Sequence, residues 1–261
     1  MSWKRLFMVM LVVTLSIALL APVADAKKKK SKKSKSKKSS KKSSKSVSRE
    51  ETFQIGADLG ANVFSFLPFG TVTSNPGTDN EVSGDLSGTG GFGPLFGAHF
   101  HLFFAEWIVR AEFAYAYQGG QGTVSWDDTQ ITNSAGVKTS LKDLDFDWSM
   151  NNVKLGAGFG KVLVKHRIVR PYLLGVVDYH YLTFKDKDAE DSGTGSGLGL
   201  GGLLGVDAKI PGAKGFYAGG GLRFDIIYTV NDLEQKFRGG KNTYSFMYLP
   251  VAIFLTGGYQ F

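Results

Sequence analysis

Charged and imidazole side chains in this 261-residue chain recur in pairs two residues apart: His99 and His101, Arg110 and Glu112, Asp178 and His180, Asp207 and Lys209, Arg223 and Asp225. A spacing of two places both members of a pair on one face of a β-strand. Three kinds of chemistry are open to such a set. Opposite charges enclosed together must pair, which predicts an ion-pair network centred on Asp58, Arg110, Glu112, Lys154, Arg223 and Asp225, with Asp178, Asp207 and Lys209 on the same faces. Two imidazoles at i and i+2 can hold a metal, but no third ligand is identifiable by spacing, so His99 and His101 read first as buried hydrogen-bonded histidines. His180 with Asp178 and a serine such as Ser149 or Ser192 has the residue types of a hydrolytic set, yet these come from distant segments and no motif joins them.

The elements that position these residues alternate with period two. Phe53, Ile55, Ala57, Leu59, Ala61 and Val63 fall on one face, with Gln54, Gly56, Asp58, Gly60 and Asn62 between them. Trp107, Val109, Ala111, Phe113, Tyr115 and Tyr117 repeat the pattern, as do Phe216, Ala218, Gly220, Leu222, Phe224, Ile226 and Tyr228. Weaker versions fill 92–103, 148–163, 169–183, 198–210 and 244–261, which makes eight strands. Parity in the fifth strand is set by sending Asp178 and His180 inward; the sixth needs the same choice at Gly201 and Gly202. Short links near 104–106, 164–168 and 211–215 alternate with polar stretches at 69–91, 118–147, 185–197 and 231–243, read here as long loops. These carry acidic clusters: Asp127 and Asp128, then Asp143, Asp145 and Asp147, then Asp186, Asp188, Glu190 and Asp191.

The formal net charge of +8 conceals a division of the chain. Residues 27–49 hold 13 of the 31 basic residues and no acid, alternating Lys with Ser around a single apolar residue, Val47. Such a segment buries nothing and is expected to be disordered. From Glu50 onward 16 basic residues face 22 acidic ones, so the expected folded part is acidic and nucleic acid is not an expected partner. Lys4 and Arg5, the apolar run from Leu6 to Ala21 and the small residues Ala24 and Ala26 predict a cleaved signal peptide. The chain has no Cys, which excludes a lipoprotein anchor and disulfides. No cofactor is implied.

The richer apolar face is too bulky for the interior of eight strands, whereas the Gly-rich face fits one. The large side chains are therefore expected to face lipid around a closed all-β, eight-stranded antiparallel up-and-down barrel spanning residues 50–261, since unpaired backbone in hydrocarbon costs several kcal/mol per group. Aromatics near strand ends form two expected girdles: Phe53, Trp107, Phe216 and Tyr259 at one level, Phe66, Tyr117, Trp148, Tyr181, Tyr228 and Tyr244 at the other.

The terminal segment resembles the C-terminal assembly signal of bacterial outer-membrane barrels, with Ile253, Leu255, Tyr259 and Phe261 matching and the small Gly257 departing. With eight strands, the chain from about Thr52 on resembles the small OmpA-like and OmpX-like barrels. The resemblance implies an outer-membrane location, both termini periplasmic, and recognition of the last strand by the barrel-assembly machinery. Interior filling at this strand number predicts a polar plugged lumen, and with it a structural or envelope-interaction role; the resemblance adds a narrow gated pore as the alternative and a lipid-modifying outer-membrane enzyme as the second. Expected partners are outer-membrane lipid and lipopolysaccharide, bridged through metal by the acidic loops, and anionic envelope polymers for the Lys-rich segment.

Overall fold

A computed structural model describes residues 52–78, 81–126, 130–132, 138–140, 143–164, 168–237 and 240–261. The expected signal peptide with Ala24 and Ala26, the Lys/Ser segment, Asp127 and Asp128 lie outside the described residues. The described chain is built of strands: β1 (Thr52–Ser74), β2 (Val82–Gly90), β3 (Gly93–Phe104), β4 (Trp107–Trp126), β5 (Gln130–Thr132), β6 (Lys138–Ser140), β7 (Leu144–Val162), β8 (Val169–Asp186), β9 (Gly193–Lys209), β10 (Phe216–Thr229), β11 (Leu233–Phe237) and β12 (Gly240–Gln260). The strands β5 and β6 pair only with each other.

All the others belong to one antiparallel ring. From β1 the order runs through β3, β4, β7, β8, β9, β10 and β12, and β12 pairs with β1 to close it. The short β2 fills the wall between β1 and β4 beyond the end of β3, and β11 continues the line of β10 against β12. Eight staves therefore form the wall, two of them interrupted. Closure leaves no sheet edge along the shared length, as hydrocarbon requires. Both described termini and the short turns share one end, and the long hairpins stand at the other.

The segments expected as long loops are largely strand. The longest staves, β1 with 23 residues and β12 with 21, are about twice the 9–11 residues a tilted strand needs to cross a bilayer. The reason lies in which side of the wall is apolar. From the short-turn end up to the level of Phe66, Tyr117 and Tyr181 the outer face is apolar and aromatic: Ile55, Leu59, Phe96, Phe113, Leu155, Val177, Leu204, Leu222, Ile253 and Leu255 are exposed. Above that level the alternation continues with its chemistry reversed. Outward positions become Ser83, Asp85, Ser87, Gln121, Thr123, Asp145 and Lys185, while Val72, Leu86, Val124, Phe146, Trp148, Met150, Leu182, Phe184, Leu233, Tyr244 and Phe246 are buried inside. The lower wall is built for an apolar surrounding and the upper wall for water. This overturns two of the expected girdle assignments: Trp148 and Tyr244, 4% and 1% exposed, pack in the interior of the extension.

Two bulges in β1, between Asn62 and Phe64 and between Phe66 and Phe69, bracket this change of level. Pro68 sits in the second, where its missing N–H spares the ladder. Val63 and Phe64 consequently both face outward.

At the short-turn end, Ile210 to Ala213 forms a turn with Pro211 and then Gly212 at φ 81°, closed by the Ala213 amide donating to the Ile210 carbonyl at 3.2 Å. This is the type II arrangement that Pro-Gly favours. The turn from β3 to β4 is less well served, because Ala105 holds φ 56°. An L-residue other than Gly there costs about 1–2 kcal/mol. Substituting Ala105→Gly is expected to stabilise the barrel by up to about 1 kcal/mol, net of the backbone entropy Gly adds to the unfolded chain. Guanidinium unfolding in lipid vesicles checks this, and a lower midpoint for A105G contradicts it.

Candidate functional site

The inward faces of the membrane-level staves converge on a buried polar layer. Arg110 on β4 donates through Nε to Glu112 Oε2 at 2.6 Å, through Nη2 to Asp58 on β1, and through Nη1 toward His101 Nε2 at 2.8 Å. Arg223 on β10 donates through Nε to both oxygens of Asp225 at 2.9 and 2.6 Å, through Nη1 to Glu112 and through Nη2 to Asp178 on β8. Lys154 on β7 lies 3.3 Å from Glu112 and 3.8 Å from Asp225. Glu112 is thus the hub, touching all three buried cations. Glycines on the opposing strands make room: a Cβ at Gly156 would strike the Asp178 carboxylate, and one at Gly199 the His180 ring.

The histidines extend this layer. His99 Nδ1 is 3.1 Å from Asp58 and its Nε2 is 2.8 Å from the Tyr217 hydroxyl. A guanidinium can only donate, so His101 Nε2 accepts from Arg110, and His101 is the neutral tautomer carrying its proton on Nδ1, toward Gln54 Oε1 at 3.3 Å. Arg110 thereby occupies the lone pair that a metal would need. No group of three or more metal-ligating side chains occurs among the described residues. His180 Nδ1 is 2.9 Å from Asn152 Oδ1, and its Nε2 has no hydrogen-bond partner.

The hydrolytic set is not brought together. Asp178 serves Arg223 rather than His180, Ser149 pairs with Lys185 across the outer face of β7 and β8, and Ser192 is exposed in the turn after β8. Lys209 also departs from its expected place, because β9 ends there and its side chain is exposed at the rim rather than in the lumen. Asp207, 2% exposed, lies 3.6 Å from His101 Nδ1 and its carboxylate accepts no hydrogen bond. Among the fully buried groups at this level, five carboxylates (Asp58, Glu112, Asp178, Asp207, Asp225) face three cations (Arg110, Lys154, Arg223), so acid exceeds base.

Clusters of buried apolar side chains lie on both sides of this layer. Toward the short turns lie Phe103, Ile108, Val162, Tyr172, Leu174, Val176, Leu203 and Phe254, the last with the Arg110 guanidinium 5.8 Å from its ring centre. Toward the far end lies the larger cluster around Trp148, Phe184, Phe246 and Tyr248. A cavity of about 10 Å³ beside Asn62, Asn152, Lys154 and Asp225 has room for roughly one water.

The acidic residues expected in solvated loops divide between faces. Asp145 accepts from the Thr123 hydroxyl at 2.8 Å and Asp147 pairs with Lys187 at 3.2 Å, both on the outer wall. Asp191 accepts from the Lys236 amide at 2.7 Å, and Asp143, Asp188 and Glu190 are exposed. Asp186 instead is buried, 6% exposed. At the chain end Ile253, Leu255, Tyr259 and Phe261 all face outward, with Tyr259 stacked edge-on between Phe216 and Phe261.

A closed antiparallel ring with an apolar outer belt and charged residues on its inner face defines a small transmembrane β-barrel. No protein-family model matches this sequence, and no curated protein is similar to it at a significant level. Solved structures to which it is similar include the outer membrane protein OprG from Pseudomonas aeruginosa, at 17% identity over 79% of this chain and 95% of that one, with a TM-score of 0.43. Neisserial surface protein A (NspA) is similar at 14% identity, covering 76% and 96%, with a TM-score of 0.36. The attachment invasion locus protein Ail of Yersinia pestis, solved with the heparin analogue sucrose octasulfate, is similar at 16% identity, covering 81% and 99%, with a TM-score of 0.29.

Proposed function

We propose that this protein is a bacterial outer-membrane barrel with a closed lumen, whose role is envelope interaction exercised by the wall that stands beyond the membrane. The observation that carries this reading is the filling of the interior: a charge layer held between two apolar clusters, with a cavity of about 10 Å³, roughly one water, beside Lys154 and Asp225. A pore needs a continuous wet path, and here the path is occupied by side chains, most of them paired with one another across the lumen. An even number of staves puts both described termini at the short-turn end, which in this reading is the periplasmic side. The Lys-rich segment would then face anionic polymers of the envelope, where each Lys near an anionic surface contributes about 1 kcal/mol. The outward Phe261, Tyr259, Leu255 and Ile253 present the face that the assembly machinery would read, and Asp145 and Asp147 on the outer wall face lipopolysaccharide.

Planar-bilayer recording tests the closed lumen. The wild-type protein is expected to give no reproducible single-channel steps. Steps that change size or frequency in the Arg223→Ala variant would establish a gated pore and overturn the reading. Mass spectrometry of lipid A with and without overexpression tests the enzyme alternative, with an unchanged acyl count expected.

A further inference from the structure

The far end of the barrel holds a cavity of about 310 Å³, at the lower limit of the roughly 300–1,000 Å³ typical of small-molecule sites. Its floor is the apolar core of the extension, with Phe146 buried there. On its open side Trp126 and Phe237 are half-buried and Leu144 is 54% exposed. Apolar side chains therefore remain wet beside an apolar floor, in the part of the wall whose outer face is otherwise polar.

Among the described residues that line the cavity, the charged ones are both acids. Asp186 and Asp188 both line it. The Asp186 carboxylate is fixed by the Asp188 amide at 3.0 Å and approached by the Tyr244 hydroxyl at 3.4 Å, and no described cation lies within 4 Å of either acid. Two neighbouring lysines are engaged elsewhere: Lys187 pairs with Asp147 on the outer wall at 3.2 Å, and Lys241 with Glu234 at 2.6 Å. A buried, positioned carboxylate with no counter-charge among the described residues favours a cation. Half-buried Trp and Phe rings beside it favour a cation with an apolar body, through both area burial and the ring quadrupole. An anion would meet two acids, and a purely apolar ligand would leave them uncompensated.

We infer that the mouth cavity binds a small amphipathic organic cation, its apolar part against Trp126, Phe146 and Phe237 and its ammonium group beside Asp186 and Asp188. The inference concerns the extension alone and stands whether or not the lumen below conducts.

The test uses the full chain in phosphatidylcholine nanodiscs, titrated with benzyltrimethylammonium, benzyl alcohol and benzenesulfonate, and read by calorimetry and tryptophan fluorescence. Saturable binding of the cation, at least tenfold tighter than the alcohol and with no binding of the sulfonate, is expected. The Asp186→Asn/Asp188→Asn variant should lose at least tenfold in affinity, with its heat-dependent gel shift showing that the barrel is intact. If that variant does not fold, the exposed single change Asp188→Asn should still weaken the cation and leave the alcohol unchanged. Equal binding of cation and alcohol, binding of the sulfonate, no saturable signal, or an unaltered affinity in the Asp188→Asn protein would each overturn the inference.

Discussion

Substituting Arg223→Met is expected to destabilise the barrel by about 3–5 kcal/mol, the cost of removing one partner from a buried ion pair and stranding the other. The geometry puts this site at the upper end. Each nitrogen of the guanidinium serves a different carboxylate, Nε to Asp225, Nη1 to Glu112 and Nη2 to Asp178, and all four residues are at most 6% exposed. An Arg223→Lys change keeps the charge but not the planar fork, so it should recover only part of the loss. Combining Arg223→Met with Asp178→Asn and Asp225→Asn removes the stranded charges and should be markedly less damaging than the single change. Guanidinium unfolding in vesicles, followed by fluorescence and gel mobility, measures all three. A loss under about 1 kcal/mol for the single variant would mean that the carboxylates are already compensated without Arg223.

The second large effect belongs to the extension. Phe184 is fully buried and its ring centre lies 5.2–6.1 Å from those of Tyr244, Phe246 and Trp148. Truncation to Ala in such a cluster costs about 3–5 kcal/mol. Because the outer face at this level is polar and meets water, no lipid holds this part of the wall in place. Phe184→Ala is therefore expected to loosen the extension while the membrane-level barrel persists. Trypsin should then cut at exposed Lys187 or near Lys236 and Lys241 many times faster than in the wild type, leaving the heat-dependent gel shift intact. Loss of that shift together with the new cuts would show instead that the barrel unfolds as one unit.

Most of the membrane-level wall was legible in the sequence. Strict alternation from Phe53 to Val63, in 107–117 and in 216–228 is enough to set which side chains face out, since a one-residue slip would put every Phe and Leu inside a space that only Gly and a few polar groups fit. The inward placement of Asp58, Arg110, Glu112, Arg223 and Asp225 follows from the same parity, whereas that of Asp178 and His180 is the assumption that sets the parity of the fifth strand. The upper wall reads as loops in the sequence because its outward residues are as polar as solvated chain. The signal was present in Thr123-Val124-Ser125 and Asp145-Phe146-Asp147-Trp148, which alternate as regularly as the lower staves with the polar residues outside. Phe146 and Trp148, at the positions of a lumenal face, were the marks that the inside had become a core.

What the sequence determined by itself was parity: from Phe261 backward it places Tyr259, Leu255 and Ile253 outward and Thr256 and Ala252 inward, as they stand in the closed barrel. What only the tertiary structure decided was partnership and surroundings. Arg223 reaches Glu112 across 111 residues of sequence, and His99 meets Tyr217 across 118, because ring closure brings together faces that no local spacing relates. The level at which lipid gives way to water is likewise set by how high the staves rise once they pair. The same alternation then serves a lipid-facing wall below and a water-facing wall above, since the favourable side for an apolar group is whichever side lacks water.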